Sequence, residues 1–376
     1  MSGPCPRRGP EGRIRISISR RDFLERALGA SLAIPTLSLL QSCGQGKPAG
    51  PRAGSAELGA LEPELNIYNW SDYIGREVVP GFEKEFGVRV TYDTFESSEE
   101  MVAKLQAGAT GYDLVVPPTY AVTVLLESGL LAPLSLKYLP HLGNIAPIFR
   151  RLSHDPENKY TVPWQWGMTG IAWRKDLVPS PPESWGVFLG QEPRGKMTML
   201  DDVRDVIGVF LRLRGHSINS TDPGELEAAR KDAIAAKKNL KAYLSAPVKA
   251  QLIAGDVWLA QLWNGDAAQA RREQPALEWI LPREGSTLWI DSLVMPATAP
   301  HPRAAHEFIN YILRPDIGAA ISAGTGYGSP NQAAMPLLTN PVPYPSANEL
   351  ARLEIQKDLG RASGLWDEIW TQIKSA

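Results

Sequence analysis

Three observations predict an α/β fold: a β-α-β opening, a second run of the same alternation beyond residue 195, and enough chain after the leader, about 330 residues, for two domains of ordinary size. Leu65-Asn66-Ile67-Tyr68-Asn69 alternates apolar and polar residues like a half-buried strand. Residues 76–86 carry helical spacing, and 88–92 alternate again. Ser97 is the predicted N-cap of a helix with Glu99 and Glu100 in its first turn, continuing through 101–106 and ended by Gly108 and Gly111. Asp113-Leu114-Val115-Val116 reads as a short strand of the type buried in a parallel sheet. Pro117-Pro118 stops it, and Thr119 is expected to cap a helix through 122–126. In the second unit, 196–200 and 257–262 read as strands, 203–213 as a helix and 225–238 as a polar amphipathic helix.

The formal net charge of −2 conceals an asymmetry. Residues 1–42 carry seven Arg against Glu11, Asp22 and Glu25, a net of +4, which leaves −6 for the rest. A mildly acidic body is not built to seek nucleic acid or anionic lipid, and its field favours the approach of small cations. Ser19-Arg20-Arg21-Asp22-Phe23-Leu24 precedes a stretch, 27–40, that is broken by Gly29 and Pro35 and is too short and too weakly apolar for a membrane span. It resembles a twin-arginine export signal. Leu40-Gln41-Ser42-Cys43 resembles a lipobox, which would make Cys43 the lipid-modified first residue of the mature chain. Cleavage at another small residue near position 42 is the alternative, and either way the mature chain is exported. Cys5 and Cys43 are the only cysteines, so no internal disulfide is available and stability must come from a core. Residues 44–61, rich in Gly, Pro and Ala, suit a flexible tether.

In open α/β sheets ligands sit beyond the carboxyl ends of strands. Each cluster of chemical interest lies at such an end: 70–73 after the first strand, 118–120 after the third, 201–205 after Leu200, and Trp263 after Leu262. These positions agree with one cleft. Acidic and aromatic residues alternate in it, as in Tyr68-Asn69-Trp70-Ser71-Asp72-Tyr73 and Leu288-Trp289-Ile290-Asp291-Ser292. That pattern suits an organic ammonium, held by carboxylates and the negative faces of rings, with methylenes packed on the same rings. A chain bearing several such groups, a polyamine, is the implied ligand.

Bland readings compete. A single Trp is more often a core aromatic than a ligand contact. That reading weakens for Trp70 and Trp289, because each stands two residues from an Asp and would face the same side of a strand. Trp164 and Trp166 lack such a partner and are expected to pack near a crossover between lobes. Asp201 and Asp202 are candidates for the N-cap of the helix starting at Val203. Asp205 lies one turn on, so Asp202 and Asp205 either point together into the cleft or form a solvated acidic first turn. His141, His154, His216, His301 and His306 have no metal-ligand spacing, so no metal site is expected. No Gly-x-Ser-x-Gly elbow appears, and Gly324-Thr325-Gly326-Tyr327-Gly328 lacks the spacing of a phosphate loop. Its glycines are expected to let the backbone turn so that Tyr327 faces the cleft. No cofactor and no enzyme are expected.

Six ordered motifs carry a resemblance: Tyr68-Asn69-Trp70-Ser71-Asp72-Tyr73, the stretch from Tyr112 to Tyr120, Asp201-Asp202-Val203-Arg204-Asp205, Trp263-Asn264-Gly265, Trp289-Ile290-Asp291-Ser292, and Gly326-Tyr327-Gly328-Ser329-Pro330-Asn331. Over nearly all of the chain after residue 64 the sequence resembles the periplasmic spermidine/putrescine-binding proteins of ABC transporters. The resemblance implies a two-lobed type II periplasmic-binding fold with two crossover segments and an interlobe ligand cleft. On that fold the chain divides into a signal (1–43), a linker (44–64), a first lobe (65–166 plus 290–335) and a second (167–289 plus 336–376). Carried over by position, Asp72 would meet one end of a polyamine, with Trp70 and Ser71 nearby and Tyr73 and Tyr120 on the wall. Asp202 and Asp205 would hold the other end, Trp263, Trp289 and Tyr327 would sandwich the methylenes, Asp291 would bind an inner amine, and Gln356, on an amphipathic helix, would supply a polar cap. Pro118 stands where a Ser is common, and Asp72 and Asp205 stand where Glu is common. Each shortening moves a carboxylate by roughly 1.5 Å, so the slot would prefer the longer triamine or recruit bridging water. The resemblance further implies a monomeric periplasmic receptor that passes its cargo to a membrane permease driven by a separate ATPase subunit. A receptor or sensor for another organic cation on the same scaffold is the alternative.

Overall fold

Residues 57–376 are described by the computed structural model, with 246, 340, 341 and 343 excepted. The export signal, the lipobox and Cys43 lie outside the described residues. β1 (Glu64–Trp70) and β2 (Arg89–Phe95) pair in parallel with Trp70 opposite Phe95, joined by α1 (Val78–Phe86), which starts two residues later than its periodicity begins. Gly87 ends α1 in the left-handed region at φ 68°, where a residue without a side chain is unstrained. α2 (Ser98–Gln106) is capped as its sequence predicts, the Ser97 side chain accepting from the Glu100 N–H.

β3 is only Leu114–Val115, and α3 (Thr119–Glu127) follows it. The expected cap at Thr119 is not made: Pro118, in extended conformation, occupies the cap position. The Thr119 hydroxyl instead donates across the fold to the Ile290 carbonyl at 3.1 Å.

The remaining strands are β4 (Leu131–Ala132), β5 (Thr161–Arg174), β6 (Met197–Met199), β7 (Leu240–Tyr243), β8 (Leu259–Trp263), β9 (Leu277–Ile280), β10 (Ser286–Pro296) and β11 (Leu353–Glu354). Among them run α4 (Val203–Leu213), α5 (Pro223–Lys237), α6 (Val248–Ala254), α7 (Asn264–Glu273), α8 (Pro302–Ile312) and α9 (Pro315–Thr325), and the helix Ser363–Ser375 ends the chain. The sheet order is β2-β1-β3-β10-β5-β8-β6-β7, with β4 and β11 on β10 and β9 on β5. β1 and β3 pair in parallel, as do β6 and β8, while β10 is antiparallel to both β3 and β5.

Every residue of β5 is buried, and the strand passes from one apolar core to another. Val162, Trp164, Trp166 and Met168 pack with Leu65, Phe82 and Phe308, whereas Ile171 and Trp173 pack with Trp185, Phe210 and Trp366. The antiparallel pair of β5 and β10 is therefore the spine along which the two cores meet. Trp164 and Trp166 are packed residues, as expected; the Trp166 ring stacks on Phe149 at 5.6 Å and its N–H donates to the Ser329 carbonyl. The helix expected around Gln356 is absent. Leu353 and Glu354 pair with Ser286 and Thr287 as a strand, a tertiary pairing that overrides the local period.

Buried Asp113 ties these layers together. Its carboxylate accepts from the Asn66 N–H at 2.8 Å and the His301 N–H at 2.7 Å, and meets the His301 ring at 2.9 Å. Replacing it by Ala strands two half-buried donors, so Asp113→Ala is expected to cost about 3 kcal/mol of unfolding free energy, measured by urea titration. Among the described residues, no helix is long and apolar enough to cross a membrane.

Candidate ligand-binding cleft

β1 stops at Trp70, and the chain turns so that Asp72 takes φ 51°, a left-handed conformation for which Asp is favoured among residues with side chains. The strand-parity argument therefore does not place Asp72; the turn does. It does hold for Trp289 and Asp291, which both lie on β10 before the ladder shifts register between Asp291 and Ser292. Trp70 is anchored by donating its indole N–H to the Val116 carbonyl at 3.1 Å and by a tilted contact with Phe95 at 4.4 Å.

All twelve side chains named from the sequence line one cleft, whose empty space, counting its open mouth, is about 860 Å³. The end of β1 contributes Trp70, Ser71, Asp72 and Tyr73, and the start of α3 contributes Tyr120. The N-terminus of α4 brings Asp202 and Asp205, while Trp263 ends β8. Trp289 and Asp291 come from β10, Tyr327 from the glycine-rich turn after α9, and Gln356 from just beyond β11.

Among the described residues, the lining holds six carboxylates and one ammonium, that of Lys249. Asp202 is both the N-cap of α4, accepting from the Asp205 N–H at 2.8 Å, and part of the cleft wall, so its two sequence readings are compatible. Asp205 accepts from the Thr169 hydroxyl at 3.0 Å and from the Trp263 N–H at 3.1 Å. Burial pushes the Asp202 carboxyl well above its usual range, with repulsion from Asp205 adding to it. Burial also raises Asp205, against the hydrogen bonds from Trp263 and Thr169. Asp291 is 6 % exposed and forms no ion pair among the described residues; burial pushes its carboxyl up to about 7. An acid in that state gains from a cation brought to it.

Rings close one side of the cleft. Tyr327 meets Tyr73 edge-on at 5.2 Å and Trp289 at 5.1 Å, and its hydroxyl donates to Asp266 at 2.9 Å. The Tyr73 hydroxyl and the Trp289 indole N–H are buried with no hydrogen-bond partner among the described residues. Such orphan groups are uncommon in a finished core.

Five lining residues were not legible as site residues: Glu96, Ser98, Ser245, Lys249 and Asp266; Pro118, which also lines the cleft, belongs to the cluster 118–120 expected at the end of the third strand. Glu96 had a usable signal. It follows β2 directly, β2 runs in register beside β1, and Glu96 accordingly accepts from the Ser71 hydroxyl. Asp266 follows the Trp263-Asn264-Gly265 motif by one residue. Lys249 sits on the short helix α6, and nothing in its local sequence marks it.

A family model described as bacterial extracellular solute-binding protein matches residues 77–348. The spermidine/putrescine-binding periplasmic protein of Escherichia coli K12 is 36 % identical over 318 residues, covering 83 % of this chain and 91 % of that protein. The chain belongs to the bacterial extracellular solute-binding proteins. Two solved members are alike in structure: the TpPotD lipoprotein of Treponema pallidum (TM-score 0.77, 30 % identity, 82 % of this chain and 99 % of that one) and the spermidine/putrescine ABC transporter substrate-binding protein PotD of Streptococcus pneumoniae (TM-score 0.72, 32 % identity, 84 % and 99 %). This solute-binding protein has the two-lobed type II periplasmic-binding fold, as the sequence resemblance implied. Its family is one of transport proteins, of periplasmic or extracellular location.

Proposed function

We propose that this solute-binding protein receives a polyamine, spermidine or putrescine, and delivers it to the membrane permease of an ABC transporter powered by a separate ATPase subunit. The observation that carries this reading is the cleft itself, in which half-buried Asp202 and buried Asp205 and Asp291 face a lining with a single ammonium among the described residues. A polyamine supplies separated positive charges, and its methylenes match the rings of Trp263, Trp289 and Tyr327. Each carboxylate bond to an ammonium contributes roughly 1.5–3 kcal/mol and each desolvated cation–ring contact up to about 2 kcal/mol. A few of each support micromolar or tighter affinity after the cost of ordering a flexible ligand.

The lobes are read as residues 65–166 plus 290–335 and 167–289 plus 336–376, closing by hinge motion on the bound cation because only the closed state brings carboxylates of both to it. The protein is a carrier without a reaction of its own, a monomer, exported by a twin-arginine signal and held at the membrane through lipid on Cys43. The names of the relatives and the nature of the cleft support the ligand class. Titration calorimetry with spermidine and putrescine tests it; absence of heat from both at micromolar protein defeats it.

A further inference from the structure

We infer that Lys249 is a tethered ammonium filling one amine position of the slot, so that the cleft selects a diamine over a triamine. The inference rests on the polyamine reading above. The Lys249 Nζ lies 3.2 Å from Asp72, 3.1 Å from the Gln269 amide oxygen and 3.6 Å from Asp266. Asp72 is the carboxylate that the family resemblance assigns to one end of the ligand. In this structure that end already holds a positive charge, delivered by the protein.

The lysine is held by a built pocket. Its side chain is 18 % exposed, whereas that of Asp72 is 75 % exposed. Asp266 and Gln269 stand three apart on α7 and so share a face. Each is fixed from behind: the Tyr327 hydroxyl donates to Asp266 at 2.9 Å, and the Gln269 amide donates to the Thr325 carbonyl at 2.6 Å, which turns the amide oxygen toward Lys249. Two of the three acceptors therefore stay with Lys249 even when Asp72 moves.

A ligand ammonium arriving at Asp72 meets this charge within a few ångströms in a partly desolvated cleft, where like charges repel more strongly than in water. The long amine loses at that end what it gains elsewhere. A shorter diamine, seated between Asp291 and the Asp202–Asp205 pair, avoids the conflict. The shortened reach of Asp72 alone argues for the triamine; counting Lys249 reverses the preference.

The test is calorimetry with spermidine and putrescine on the full exported domain and on two variants. The native chain is expected to bind putrescine at least tenfold more tightly than spermidine. Lys249→Met, which keeps the stem and removes the charge, is expected to shift that ratio toward spermidine by tenfold or more, and Lys249→Arg to leave it within threefold. A native preference for spermidine, or a ratio unchanged in a folded Lys249→Met, overturns the inference while leaving the polyamine receptor standing. Should Lys249→Met not fold, the native ratio and its value in Lys249→Arg decide alone. If neither amine binds the native chain, the receptor reading fails and this inference falls with it.

Discussion

Asp291→Asn is expected to weaken spermidine and putrescine binding by about two orders of magnitude while stabilising the ligand-free protein at about pH 8. Both effects come from one feature. Asp291 lies on β10 at the floor of the cleft, 6 % exposed, with its carboxyl pushed up to about 7 by burial, and with the rings of Tyr73 and Tyr327 as neighbours in place of a cation. Truncating one partner of a desolvated charge pair typically costs about 2–5 kcal/mol. The Asn side chain keeps the shape and removes the charge, so the loss falls on the ligand complex. In the ligand-free protein the sign reverses. The folded-state value lies above the ordinary carboxylate value, so the stabilisation from the neutral acid is complete below about pH 4 and is lost as pH rises through about 7. The native apo protein is thus expected to melt lower at about pH 8 than at about pH 6 on account of this group, and Asp291→Asn to lose that part of the dependence. Because a cation binds the ionised form, complex formation below about pH 7 must expel a proton. Affinity should then fall by up to about tenfold per pH step, and calorimetry in two buffers of different ionisation enthalpy should report the proton released. An Asp291→Asn protein that binds either amine normally would remove this residue from the site.

Much of the site was readable because it sits where a parallel sheet must put it. Trp70 to Tyr73, Tyr120, Asp202 and Trp263 all end or follow strands whose alternation or apolar character was plain, and the ends of such strands converge. What was not readable depends on contacts between distant segments. β9 and β11 are short edge strands whose pairing partners, β5 and β10, lie far off in sequence, and the helix expected around Gln356 gave way to one of them. Thr119 lost its expected capping role because Ile290, 171 residues away, offered a carbonyl. Lys249 was invisible for the same reason. Its meaning comes from Asp72 and Asp266, 177 and 17 residues off, and an isolated Lys on a helix reads as a solvated surface residue. The dual role of Asp202, cap and cleft wall, shows why a structural reading and a functional reading of one residue need not exclude each other.

Gly265→Ala is expected to lower polyamine affinity by about thirtyfold or more, though it adds only a single methyl group. The rings of the cleft lie directly on glycine backbone. A Cβ at Gly265 would stand 2.1 Å from Tyr327 Cδ1 and 2.3 Å from Cε1, and one at Gly167 would stand 2.2 Å from Trp289 Cζ2. The Tyr327 ring cannot tip away freely. Tyr327 is pinned by its hydroxyl bond to Asp266 and by edge contacts with Tyr73 and Trp289, and the carbonyl of Gly265 itself lies 2.9 Å from where a Cβ on Gly326 would be. Accommodating the methyl therefore displaces the ring, breaks the Asp266 bond and narrows the slot, and overpacking of this kind costs about 1–3 kcal/mol in stability besides. Gly364, in the carboxy-terminal helix with nothing within 4 Å of the position a methyl would take, serves as the control. There the exchange to Ala should leave affinity unchanged and raise stability by about 0.5–1 kcal/mol. Calorimetry and thermal melting of the two variants separate the cases: a Gly265→Ala protein that melts and binds like the native chain would mean that the Tyr327 ring is not held against the backbone, and that its place in the cleft wall is not set by packing.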